Sequence, residues 1–362
     1  MSGVAVSTVG MISSLGESVV GACAAARAGI RRATEVETYV IGEDEDLDAA
    51  LLMGHSAIPA GHVAVGKARG LIQAALRDLR RSFDPTTCDP KRTSLHLVFS
   101  DSFYLEAWAS KNSVPTDALA RIDESDAPNL LSWAASELSL SIPKEQTSSS
   151  LTGRVGIVPA IERAVAAIEG GTIDHAIIGA VDSVLEPRIL DACMDLGVIK
   201  TKDNPCGIEA GEAGAFIVLE RAEGQPKTRL RIDACATGTG TENRLDPEWK
   251  PGNRVRKVVG EALSKSGSSE GVDVVVGDLN GEVFRAHEWG HALMGRTKPS
   301  PLSSSEVWMP AASFGETGAA TGAIAICMLA QASERGYLNT QRALVWLLDD
   351  EGHTGSIVLS TN

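Results

Sequence analysis

The stretch Ser148–Ser183, SSSLTGRVGIVPAIERAVAAIEGGTIDHAIIGAVDS, decides the fold. Val155, Ile157, Val158, Ile161, Val165 and Ile168 recur at helical spacing with alanines between them, leaving a narrow polar stripe at Glu162, Arg163 and Glu169. This pattern predicts a helix buried inside a large protein. Gly170–Gly171 stops it, and a short strand, His175–Ile178, is expected to run into a turn at Gly179–Asp182.

This order of parts resembles the nucleophile segment of β-ketoacyl synthases of the thiolase fold. In that family a cysteine stands at the N-terminus of a buried helix, where the helix dipole and backbone N–H groups favour its thiolate. Counted back from Gly171 and Asp174, the cysteine position falls on Arg154.

Other segments carry the resemblance along the chain. Gly10–Gly16 (GMISSLG) is similar to the family's opening glycine turn, and Ala24–Ile30 to the helix end after it. Asp203–Glu220 resembles its glycine-rich turn feeding an apolar strand, and Ser313–Ile326 its second histidine loop. The first histidine position then falls on Asp278, after the strand Val272–Val276, and the second on Glu316, with Gly322 in register. The expected lysine becomes Ala311, and Glu351–Gly355 loosely echoes the closing glycine loop.

The substitutions bear directly on chemistry. Arginine cannot attack a thioester, and two carboxylates offer no hydrogen-bond donors to an oxyanion. One cation and two anions do form a sensible buried set, because buried charges need partners. Chain-length factors, ketosynthase relatives that lack the cysteine, serve as non-condensing partners, and Gly179–Ser183 is close to their version of that segment.

The resemblance therefore implies an α/β protein of the thiolase fold: two similar halves, residues 1–227 and 228–362, in a layered αβαβα arrangement. It implies a catalytically degenerate site at Arg154, Asp278 and Glu316, no cofactor, and action as a non-condensing partner or adaptor. The expected partners are a second copy, a ketosynthase-like protein, an acyl carrier protein or another protein client. Pairing is expected across the strand His175–Ile178.

Two alternatives stay open at this point. One is an acyltransferase or ketosynthase-type enzyme with non-standard catalytic residues, for which Ser148–Ser150 and Thr152 offer hydroxyls with no histidine placed beside them by sequence. Otherwise those hydroxyls read as a polar cap before the helix. The second alternative is a zinc hydrolase, since His287-Glu288-Trp289-Gly290-His291 fits HExxH, with Glu306 or Glu316 as a third ligand. Set against it, the motif follows the Gly277–Gly281 loop, where a ketosynthase scaffold has a structural helix. His96, in an apolar strand, reads as a satisfied core histidine.

Composition agrees. The 36 glycines and 43% hydrophobic residues with only 4% aromatics suit a tightly packed Ala/Val/Ile/Leu protein. A net charge of −14 excludes a nucleic-acid surface and binding to acidic membranes. Six cysteines without CxxC spacing, no membrane-spanning run and no leader pattern point to a cytoplasmic protein.

Overall fold

The computed structural model describes residues 3–36, 51–59, 61–115, 122–222, 230–240, 243–246, 249, 252–267, 271–294, 302–338 and 341–361. Its strands are β1 (Val4–Ser13), β2 (Thr34–Val36), β3 (Leu51–Met53), β4 (Thr93–Val98), β5 (Thr147–Ser150) and β6 (His175–Ser183). They continue as β7 (Glu212–Arg221), β8 (Leu230–Gly238), β9 (Val274–Gly277), β10 (Glu306–Trp308), β11 (Arg342–Leu348) and β12 (Thr354–Thr361).

Ten of these run in the order β10-β9-β11-β12-β8-β1-β7-β6-β4-β5, while β2 and β3 pair separately. The order is mirrored about its centre. β4 is parallel to β5 and β6, as β9 is to β10 and β11. β7 is antiparallel to β6 and β1, as β12 is to β11 and β8. The two sets of five meet at a single register pair, Ala5 opposite Arg231, and Ser360 faces that same Arg231 from β12.

Side-chain alternation along the strands builds the layers. Ala176, Ile178 and Ala180 of β6 and Ala343, Val345 and Leu347 of β11 face one core, shared with helices Ile157–Glu169 and Thr321–Glu334. Ile177 and Val181 face a second core with helix Ala64–Leu79. Leu344, Trp346 and Leu348 face a third with helices Arg254–Lys265 and Val283–Leu293. The result is the αβαβα sandwich expected from the sequence. The 227/228 boundary lies outside the described residues.

Several local expectations need correction. Gly179–Asp182 is no turn: β6 continues unbroken to Ser183. Gly179 is glycine because a Cβ there would lie 2.2 Å from the Phe216 ring on β7. β6 is also no edge, since β4 and β7 flank it, and the ends of the large sheet are β5 and β10. The Gly10–Ser13 segment is strand, with the turn confined to its last residues.

Helix Ile157–Glu169 is less enclosed than its alanines suggest, because Glu162, Arg163, Ala166 and Glu169 are exposed. The helix buried nearly all round is Thr321–Glu334, where Thr321 to Cys327 and Leu329 are all inaccessible. Ser148–Ser150 cap no helix; they form the edge strand β5.

Candidate functional site: a buried arginine–carboxylate cluster

Both central helices are entered through a tight 3₁₀ turn, Gly153–Gly156 before the first and Gly318–Ala320 before the second. Gly153 (φ 58°) and Gly318 (φ 50°) are both left-handed and open to close approach. A Cβ at Gly153 would lie 2.1 Å from Asp101 Oδ2, and one at Gly318 would lie 1.9 Å from Asp182 Oδ2. The first turn delivers Arg154 to the middle of the sandwich. Asp278 follows β9, Asp350 follows β11, and Glu316 follows the short helix Ala311–Phe314 through Gly315 (φ 76°).

The structure brings together the three residues that the sequence singled out. Arg154 Nη1 lies 3.0 Å from Asp278 Oδ1 and 3.1 Å from Glu316 Oε1, and its Nη2 is 3.7 Å from Asp350 Oδ2. All four side chains are 5% exposed or less.

A second guanidinium braces the set from behind. Arg285, wholly buried, donates to Asp278 (2.9 Å), Glu282 (3.0 Å) and Asp350 (3.1 Å). Arg244 reaches Glu282 at 2.6 Å, and Asn280 Nδ2 reaches Glu316 at 2.6 Å. Three guanidiniums (154, 244, 285) thus meet four carboxylates (278, 282, 316, 350).

The electrostatics follow from these contacts. Burial pushes the Glu316 carboxyl up, but Arg154, Arg285, Asn280 and the Gly318 amide outweigh it and hold the group down to about 2. Burial pushes Asp278 up against the pull of Arg154 and Arg285. Asp101, on the same side of the cluster, is pushed up to about 7 by burial and by the carboxylates of Asp350, Asp349 and Asp182.

Sequence reasoning missed Arg285, Asp350, Glu282, Arg244 and Asn280. Asn280 and Glu282 sit within four residues of Asp278, and Asp350 adjoins the loosely matched closing loop. Nothing in the spacing marks Arg285 or Arg244. Ala311 stands on the short helix Ala311–Phe314 and joins none of these ion pairs.

No thiolate is prepared near this cluster. Burial raises Cys88, and Cys23 and Cys235 are pushed up to about 12 by burial first and by Asp78 and Glu162 second. Cys327 rises further for the same first reason, and Cys193 is buried. Only Cys206 is exposed among the six.

One histidine–serine contact emerges elsewhere. The parallel register of β4 and β5 sets His96 opposite Ser148, and the ring Nδ1 lies 2.7 Å from Ser148 Oγ, with Nε2 3.0 Å from Ser94 Oγ. Burial, then the nearby Arg163, pushes His96 down to about 4, so the ring is neutral at pH 7. It is a satisfied histidine, as expected, yet it also stands beside the serine that the sequence left without one.

The HExxH segment lies on helix Val283–Leu293. His287 is exposed and stacks on Trp249 at 6.4 Å. Glu288 turns inward instead, accepting from the Gly252 amide (2.8 Å) and Arg254 (3.1 Å). Of the suggested third ligands, Glu316 belongs to the Arg154 cluster and Glu306 Oε1 accepts from Trp308. Among the described residues no three His, Cys, Asp or Glu side chains converge as a metal site, and no helix is long and apolar enough to cross a membrane.

No protein-family model matches the chain. Over 295 residues it is 24% identical to the polyketide synthase ThaG of Burkholderia thailandensis, a match spanning 75% of this chain but 5% of that much longer protein. Solved structures match far more completely. A ketosynthase of a type II polyketide synthase, in complex with its acyl-carrier protein and bound to the hexaketide, superposes with a TM-score of 0.74 at 14% identity, covering 99% of both chains. A ketosynthase in complex with its chain length factor, from Xenorhabdus doucetiae, gives 0.73 at 14% identity, covering 100% of this chain and 98% of the other. The ishigamide ketosynthase/chain length factor gives 0.67 at 17% identity, covering 99% of both. The chain thus has the thiolase fold of the ketosynthases and chain length factors.

Proposed function

We propose that this protein is a non-condensing member of the ketosynthase-like group, acting by protein binding as a partner or adaptor. Arg154, Asp278 and Glu316 then stand where condensing relatives hold a cysteine and two histidines. The observation that carries this reading is the closed ion-pair set itself: Arg154 is held by Asp278 at 3.0 Å and Glu316 at 3.1 Å, both buried. Such a set supplies no nucleophile, and its guanidinium N–H groups are turned to the carboxylates rather than to an enolate oxygen. Its contribution is structural, tying together three loops from distant parts of the chain.

Binding would then use the outer surface. Two of the matched structures are complexes, one of a ketosynthase with its acyl-carrier protein and one with its chain length factor. An acyl carrier protein or a ketosynthase-like chain is accordingly the partner class to test. The sheet offers β5, a partly exposed Thr-Ser-Ser-Ser edge strand, where the expected pairing strand β6 is enclosed. Pairing there, with a second copy or a related chain, would satisfy its free backbone groups.

A second reading rests on the His96–Ser148 contact at 2.7 Å. A neutral imidazole beside a hydroxyl is the start of an acyl-transfer site. Incubation of the purified protein with malonyl- and acyl-thioesters, read by intact mass, separates the two. Absence of an adduct, with retention of a carrier or ketosynthase partner in a pull-down, fits the binding role. A stoichiometric adduct lost in Ser148→Ala would replace it with acyl transfer.

A further inference from the structure

Two cavities share a wall made by Ser100, Asp101 and Asp182. The outer, about 200 Å³, is faced by apolar side chains, chiefly Leu71, Leu105, Leu151 and Val181. The inner, about 30 Å³, has room for one or two waters and ends at Tyr104, Arg154 and Asp350.

The charges around the pair do not balance. Among the described residues Lys67 is the one cation lining the outer cavity, and its Nζ is taken by Glu212 at 3.0 Å. Arg154, in the inner one, is taken by three carboxylates. Asp182 is spent on the Ser183 and Ala319 amides, and Asp123 on its own turn.

Asp101 is different. It accepts from one amide, Phe103 N at 3.2 Å, and no cation lies within ion-pair distance of it among the described residues. Burial first, and then the nearby negative charges of Asp350, Asp349 and Asp182, make it take up a proton readily. A second, independent group is left over beside it: the Tyr104 hydroxyl oxygen, wholly buried at the inner cavity, has no hydrogen-bond partner among the described residues.

From this geometry we infer that the outer cavity binds a short primary alkylammonium, its chain on the apolar wall and its –NH₃⁺ on the Asp101 carboxylate. A second N–H reaches the Tyr104 hydroxyl through water in the inner cavity. The volume limits the chain to a few carbons, well below drug-sized pockets. An anionic ligand would meet the carboxylates of Asp101, Asp182 and Glu186 that line this cavity, and a neutral chain would strand Asp101 unpaired. The inference is independent of whether Arg154 replaces a nucleophile.

The test is calorimetric titration of the full chain at pH 8 with n-butylamine, n-butanol and butyrate in parallel. Butylamine is expected to bind saturably, at least tenfold tighter than butanol, with butyrate silent. Asp101→Asn, its folding checked by circular dichroism, is expected to weaken butylamine at least tenfold and leave butanol unmoved. Equal binding of amine and alcohol, binding of butyrate, or an unaltered Asp101→Asn titration would each overturn the inference. Failure here leaves the thioester and pull-down results untouched, so the two proposals fall separately.

Discussion

Arg154 and Asp278, 124 residues apart in sequence, share a 3.0 Å ion pair at the centre of the sandwich, where both are almost wholly inaccessible. A buried pair of this kind is costly to break, because the remaining partner stays desolvated and unpaired.

Arg154→Ala is therefore expected to destabilise the protein by about 2–5 kcal/mol in urea unfolding. It leaves Asp278 and Glu316 facing each other with Arg285 alone to neutralise them. Arg154→Lys should recover only part, since one ammonium on a shorter stem cannot serve Asp278 and Glu316, as Nη1 does, and also stand toward Asp350, as Nη2 does. A loss below about 0.5 kcal/mol for the alanine variant, the range of an ordinary surface change, would remove the brace from this account.

Installing a nucleophile should not install an activity. Arg154→Cys, incubated with malonyl- and acyl-thioesters, is expected to yield no condensation product by mass spectrometry, because Asp278 and Glu316 cannot donate to an enolate as histidines do. Product formation would show that the scaffold is closer to competence than its charges allow.

Asp101 makes a pH-dependent prediction. Its folded value, about 7, lies above the ordinary 3.8, so the native state keeps a proton that the unfolded chain has released. Stability from this group is full below pH 4 and is lost as pH rises through about 7. His96, pushed down to about 4, acts in the opposite sense between pH 4 and its ordinary 6.5. The clean measurement is thus the difference between Asp101→Asn and the parent. The variant should be the more stable at pH 8, by up to about 4 kcal/mol, with the gap closing toward pH 4. A gap independent of pH would contradict the assignment.

Gly179 tests the packing of β6 on β7. Gly179→Ala sets a methyl 2.2 Å from a ring atom of Phe216, which is itself buried. The strands must shift or the ring must turn, and a loss of about 1–3 kcal/mol is expected by thermal or urea unfolding. A neutral result would show that the Phe216 site is slack.

Assembly is open to a direct measurement. If a partner copy pairs along β5, light scattering at micromolar concentration should give a dimer, and permanent interfaces of this kind bury more than about 2,000 Å². A monomer would limit the binding proposal to unlike partners.

Much of this architecture was legible in the residues. Apolar runs bounded by glycine located the first central helix and several strands, among them those at His175–Ile178 and Val272–Val276, because periodicity and chain-stopping residues are local signals. Resemblance then brought Arg154, Asp278 and Glu316 to one place, and they lie within hydrogen-bonding reach. Gly179 misled because a glycine forced by a close approach across strands looks, in one dimension, like a glycine forced by a turn. Arg285 was invisible for the converse reason. On the sequence it is one more charged residue of a helix, and only the fold turns it into the core. His96 and Ser148 are 52 residues apart, and their contact depends on the register of two parallel strands that no spacing rule supplies.

The meeting of β1, β8 and β12 at Arg231 has a topological consequence. Ala5 and Ser360 lie on either side of that residue, so two strand spacings put the first and last strands about 10 Å apart. They run in the same direction but offset, the start of β1 and the end of β12 both standing level with Arg231, so Val4 and Thr361 are neighbours. A linker of a few residues from Thr361 to Val4 should join β12 to β1, and opening the chain at the exposed Thr86–Thr87 should give a permuted form that still folds. Any domain attached before Val4 and any attached after Thr361 would emerge as neighbours from one corner of the sandwich.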